Sequence, residues 1–147
     1  MAPNPEIPVM NQGPSTIIPC LRYRDAHRMV DWLCEAFGFQ KHAVYEDDHG
    51  GVAHAQLVYG GGMLMLGSVR EDGFGRFLAQ PDALGGRETQ CACVTVADCR
   101  AHYERAKAAG AEIVDEYAEK DYGGAGYGCR DPEGHLWWFG SYDPWAG

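Results

Sequence analysis

An α+β fold of two tandem βαβββ modules is predicted by three features: an internal repeat, two helices with matching caps, and alternating strands set between turn residues. At one constant offset Thr16 falls on Thr89, Cys20 on Cys93, Asp25 on Asp98 and Gly61 on Gly134. At the same offset Leu66-Gly67-Ser68 falls on Phe139-Gly140-Ser141. Single matches mean little, but matches spread over a whole half at one offset mark a duplication.

Each half repeats the same order of elements. Ser15 to Tyr23 alternates apolar with polar or small residues, as a half-buried strand does. Asp25 follows as an N-cap, because its carboxylate can accept from the free N–H groups of a first helical turn. Behind it Ala26, Met29, Val30, Leu33 and Phe37 recur at helical spacing, His27, Arg28, Asp31 and Glu35 form a wet face, and Gly38 offers the left-handed stop. In the second half Asp98 is the cap, Cys99, Tyr103 and Ala106 the buried stripe, and Gly110 the stop. Three strands follow each helix: Phe39 to Glu46, Val52 to Tyr59 and Met63 to Val69, then Glu112 to Ala118, Gly124 to Arg130 and His135 to Tyr142. Asp131-Pro132-Glu133-Gly134 joins the last two as a type I turn, since proline presets the backbone angle of its second position. Module one therefore spans 15–69, a Gly-rich linker with one short helix spans 70–87, and module two spans 88–142, all within one domain over 15–147.

Composition narrows the function. With 46% apolar and 22% charged residues the 147-residue chain is globular, and a net charge of −9 disfavours nucleic acid and anionic membrane as partners. No stretch approaches the ~20 apolar residues of a membrane span. The first fourteen residues carry four prolines and no apolar core, and read as a disordered arm rather than a signal peptide. Cys20, Cys34, Cys91, Cys93, Cys99 and Cys129 lack metal-finger spacing and are expected as reduced thiols in a cytoplasmic protein.

Several segments together resemble the glyoxalase/bleomycin-resistance/dioxygenase superfamily, the vicinal oxygen chelate proteins. They are Asp25 with its helix ending Ala36-Phe37-Gly38-Phe39, Ala53-His54-Ala55-Gln56-Leu57, Met63 to Ser68, and Arg130-Asp131-Pro132-Glu133-Gly134-His135-Leu136-Trp137-Trp138-Phe139-Gly140. The pattern is similar to that of PhnB-like bacterial members. The resemblance implies eight strands forming a curled sheet cup with helices outside, and a homodimer. It also implies four metal positions on the first and fourth strand of each module, which here are Ile18, Met65, Cys91 and Trp138. Such an ion needs hard or borderline oxygen and nitrogen donors. Within two residues of those positions no strand carries His, Asp or Glu. No metal and no other cofactor is therefore expected.

Alternation assigns a soft, apolar wall to the cup: Ile18, Cys20 and Arg22 from the first strand, Cys91, Cys93 and Thr95 from its repeat, with Met63, Met65, Leu136 and Trp138. His54 and Gln56 share a strand face opposite Ala55 and Leu57 and would point inward. Tyr122-Gly123-Gly124-Ala125-Gly126-Tyr127 reads as a mobile strap whose two tyrosines rim the cup. The ligand-binding set is thus Arg22, His54, Gln56, Met63, Met65, Cys91, Cys93, Trp138, Tyr122 and Tyr127. His54 is the one catalytic candidate, with a structural role equally open. His27, His49 and His102 read as solvated, and His135 as hydrogen-bonded to its loop.

Three functions fit this reading. The first is metal-independent binding of a small planar or aromatic molecule, as the resemblance to bleomycin-resistance members implies. The second is a glyoxalase-like lyase or isomerase, or a dioxygenase, with a non-standard metal or acid–base work by His54. The third is an interaction module with a filled barrel.

Overall fold

The computed structural model describes residues 14–146, so the expected N-terminal arm lies almost wholly outside the described residues. Module one runs β1 (Cys20–Tyr23), α1 (Ala26–Phe37), β2 (Gln40–Glu46), β3 (Val52–Tyr59) and β4 (Gly62–Ser68). Module two repeats it as β5 (Ala92–Thr95), α2 (Cys99–Ala108), β6 (Glu112–Glu119), β7 (Ala125–Arg130) and β8 (Leu136–Gly140). The linker holds two 3₁₀ turns, Gly73–Phe77 and Pro81–Leu84, where the sequence suggested one short helix. The first strand starts at Cys20 rather than Ser15. Pro19 has no N–H to give a ladder, although its carbonyl still accepts from Met65 N at 2.9 Å.

Both helices start and stop where the caps place them. Asp25 accepts from Arg28 N at 3.2 Å, Asp98 from Ala101 N at 3.0 Å, and Gly38 takes φ 84° as its N–H reaches the Cys34 carbonyl. Among the described residues no helix is long and apolar enough to cross a membrane.

The strands form two four-stranded sheets of the same order, β1-β4-β3-β2 and β5-β8-β7-β6, in which the first strand runs parallel to the fourth. They do not close a barrel. Cys20 pairs with Met65 and Met65 with Gln56, while Cys93 pairs with Trp138 and Trp138 with Gly128. The Cys20–Met65 and Cys93–Trp138 pairs are equivalent under the repeat, whereas the third strand of module two is shifted by one residue.

The core lies on the helix-packed faces. Phe37, fully buried at the end of α1, packs against Trp32, His102, Trp137 and Phe139, so one side chain joins both helices to β8. Trp32 donates its indole N–H to the Ala109 carbonyl at 2.9 Å, and Arg105 donates to the Glu35 carbonyl at 2.6 Å. These bonds lock α1 to α2.

His102 corrects the sequence reading. It is buried rather than solvated, with Nε2 2.8 Å from the Phe37 carbonyl and Nδ1 2.6 Å from the Tyr127 hydroxyl. A carbonyl only accepts, so Nε2 carries the hydrogen and Nδ1 accepts from Tyr127. Burial pushes the His102 pKa down, outweighing the bond to Phe37.

A second knot ties the modules together at Asp131, which burial pushes up from the usual carboxylate value. Its Oδ2 accepts from the Tyr23 hydroxyl at 2.6 Å and from Trp137 Nε1 at 3.1 Å, and its Oδ1 accepts from the backbone N–H of Glu133 and His135. Two turn positions later, the Glu133 carboxylate accepts from the backbone N–H of Arg24 at 2.5 Å and Asp25 at 2.8 Å, anchoring the start of α1 from the other module.

Candidate functional site

The faces turned away from the helices carry the expected cup residues. Ala55 and Leu57 are fully buried under α1, while His54 and Gln56 on the opposite face of β3 stay half-buried. The Gln56 amide donates to His54 Nε2 at 3.1 Å, so that nitrogen is the bare one. Tyr45 from β2 stacks on His54 at 6.2 Å between ring centroids. Arg22 lies across β4, since a β-carbon at Gly67 would stand 2.8 Å from its Nη1. A side chain at Gly67 would displace the guanidinium.

The same device recurs on a larger scale in module two. A β-carbon at Gly126 would stand 2.5 Å from Trp138 Cζ2, and one at Gly128 would stand 3.3 Å from Cε3. The half-buried indole therefore lies flat on the backbone of β7, in a seat made by two glycines. Lys120 Nζ is 5.0 Å from its ring centroid, within cation–π range.

That seat corrects the reading of the glycine run. Ala125, Gly126 and Tyr127 belong to β7, so only Tyr122 to Gly124 forms a turn. Tyr127 does not rim the cup. It is fully buried on the helix side, bonded to His102, and burial drives its hydroxyl far above the usual tyrosine range. Tyr122 is exposed as expected, edge-on to Tyr142 at 5.3 Å.

Between the edges of β1 and β5 lies a cleft of about 590 Å³, roofed by Phe77, Leu78 and Leu84 of the linker. Ile18, Cys20, Arg22, Cys91 and Leu136 line it, whereas His54, Gln56, Met63, Met65, Cys93 and Trp138 lie outside on the sheet faces. His135 borders the cleft and is held structurally, but its backbone N–H alone bonds the loop, at Asp131, and its ring reaches elsewhere. Its Nδ1 is 2.5 Å from Glu88 Oε1 and its Nε2 is 2.9 Å from the Arg22 carbonyl. Both partners accept, an arrangement that favours the protonated ring. Burial opposes that charge, but the bonds to Glu88 and Arg22 and the charge of Asp131 outweigh it, and the pKa rises.

None of the six cysteines is in a disulfide. Burial, then the neighbouring Cys91, raises the Cys93 pKa, which keeps that thiol protonated and a poor nucleophile. Among the described residues no three His, Cys, Asp or Glu side chains converge as a metal would need. Of the four positions matched to the ion-binding pattern, Ile18 and Trp138 offer no lone pair to a cation and Met65 only a thioether. This set does not fit an oxygen- and nitrogen-seeking ion.

Paired βαβββ modules with open sheet faces and a cleft between them define a class of small α+β proteins. Residues 16–139 match the model of the Glyoxalase/Bleomycin resistance protein/Dioxygenase superfamily, and the chain belongs to that superfamily. Among solved structures it is similar to TioX from Micromonospora sp. ML1, at 34% identity over 86% of this chain and 97% of that one, with a TM-score of 0.67. A point mutant of glyoxalase I from Zea mays is 17% identical over 85% of this chain and 44% of that one, with a TM-score of 0.65. The fosfomycin resistance protein FosX from Mesorhizobium loti is 15% identical over 90% of this chain and 94% of that one, with a TM-score of 0.60. The last two likenesses concern the fold alone. The search of curated proteins found no match.

Proposed function

We propose that this is a cytoplasmic, metal-independent binding protein that stacks a small planar or aromatic molecule on Trp138. One observation carries the reading: β7 gives up side chains at Gly126 and Gly128, and the indole occupies that space as a flat platform. Aromatic stacking adds about 0.5–1.5 kcal/mol beyond area burial, and on the indole face turned from β7 a ligand would take the place of the Lys120 ammonium. Met63 and Met65 supply an adaptable wall, and Arg22, His54 and Gln56 supply the few polar groups that orient a ligand.

The proposed unit is a homodimer. In a single chain Cys20, Cys91 and Cys93 stand exposed, as do Ile17 at 84% and Phe77 at 69%, so a second copy has apolar surface to cover. Light scattering at micromolar concentration tests this, and a strict monomer would remove it.

The binding reading is tested by fluorescence titration with naphthalene- and quinoline-type probes in excess chelator. Saturable quenching in the native chain, lost in Trp138→Ala and indifferent to the chelator, is the expected result. Binding that needs an added divalent ion would defeat the proposal. A lyase, isomerase or dioxygenase reading is favoured only by the His54–Gln56 pair, which leaves Nε2 as an acceptor. It calls for a His54→Ala variant that still binds a substrate but no longer converts it.

A further inference from the structure

We propose that a pocket ringed by arginines beside the β1–β5 cleft holds the acidic head, a carboxylate or a phosphate, of an amphipathic ligand whose apolar body lies in that cleft. This goes beyond the Trp138 platform and does not depend on it. The pocket encloses about 280 Å³ under the first linker turn, and Arg22, Arg24, Arg70 and Arg76 line it with Glu71 as the one acidic member. The chain carries nine more acidic than basic residues, so four arginines around one hollow run against its overall charge.

The four arginines are held in different ways. Arg24 is forked by Asp82 at 2.7 and 2.9 Å, and Arg70 by Asp72 at 3.1 and 3.5 Å. Both pairs are exposed, and exposed pairs of this kind yield readily to a competing anion. Among the described residues Arg22 and Arg76 have no carboxylate partner. Arg22 makes one long bond to the Ser68 carbonyl at 3.5 Å, and Arg76 lies over the Phe77 ring at 4.6 Å. Gly75 shapes the turn by close approach: a β-carbon there would collide with the Arg70 carbonyl. Glycine at that place draws the turn back over Arg70 and keeps Arg70 and Arg76 on one hollow.

The pocket also has a continuation. Arg22, Leu78, Ala79 and Gln80 border both it and the cleft, where Ile18, Leu21, Phe77 and Leu136 offer apolar walls. Planar guanidinium groups suit the oxygens of a carboxylate or phosphate, forming short charge-assisted bonds. An acid with a greasy body would satisfy both halves of this surface at once.

The test is calorimetry of the full chain with three probes of one shape: 1-naphthoate, 1-naphthyl phosphate and neutral 1-naphthamide. At least one anion should bind about tenfold or more tighter than the amide, as charge-assisted hydrogen bonds predict, and should weaken with added salt. The preferred anion identifies the head group. Arg70→Gln combined with Arg76→Gln should remove the advantage and leave amide affinity unchanged, while Arg28→Gln, on the wet face of α1, should keep it. Equal affinity for acid and amide, an advantage that survives the double variant or falls equally in Arg28→Gln, or no saturable binding of either anion would overturn the proposal.

Discussion

Gly126→Ala is the sharpest probe of the indole seat. The backbone at Gly126 is not in the left-handed region, so alanine is allowed there on conformational grounds. By itself the change should stabilise the strand by about 0.5–1 kcal/mol, because glycine loses the most freedom on folding. The new methyl would stand 2.5 Å from Trp138 Cζ2 and 3.1 Å from Cε2, well inside contact distance. Overpacking of this kind costs about 1–3 kcal/mol, and here the half-buried ring can swing off the strand, so a cost of about 1.5 kcal/mol applies. The expected net loss is about 1 kcal/mol by urea denaturation, with a changed Trp138 emission and a weakened response to aromatic probes. In a Trp138→Ala background the collision is gone and Gly126→Ala should stabilise by about 0.5 kcal/mol or more. The two residues should thus couple by about 1.5 kcal/mol in a double-mutant cycle. Gly128→Ala, with its nearest contact at 3.3 Å, should couple more weakly. A cycle that closes to zero would refute the seat.

Asp131→Ala should cost about 3–5 kcal/mol in urea denaturation, since four donors lose their acceptor in the core, and Asp131→Asn should cost less. Tyr127→Phe should cost about 1 kcal/mol by losing its bond to His102 and leave ligand titrations unchanged, because that hydroxyl points at the helix side. The folded pKa of His135 is raised above its ordinary 6.5, so its contribution is full below that value and disappears as pH climbs through the raised one. The melting temperature of the native chain should exceed that of Glu88→Gln most at pH 6, and the gap should narrow on the alkaline side. His102 works in the opposite direction. Its folded value is depressed, so the stability it lends is present above 6.5 and is lost as pH falls through that lowered value, and a His102→Gln variant should lack this acid-side loss.

Most of the architecture was readable from pattern, because duplication, caps and alternation are local. The Asp25 and Asp98 caps and the burial of Ala55 and Leu57 opposite His54 all follow from spacing alone. His102 was missed although its signal was present: Cys99, His102, Tyr103 and Ala106 sit at helical spacing, and the polarity of the ring hid its place in the stripe. The run from Gly123 to Tyr127 misled for a related reason. Glycines usually mean a turn, yet Gly126 and Gly128 alternate with Tyr127 and Cys129, which is strand spacing with one face emptied for a tryptophan. The arginine pocket had no sequence signature, since Arg22 and Arg76 meet only after the linker folds back over β1.

The turn between β7 and β8 bears on the history of the chain. Asp131 and Glu133 reach across to Tyr23, Arg24 and Asp25, but the equivalent turn of module one is Val58-Tyr59-Gly60-Gly61 and has no carboxylate to return the favour. The descendants of the duplicated unit have become unequal: the later copy props up the earlier one. Cut free, the first half would lose the acceptor for its deepest hydroxyl, that of Tyr23.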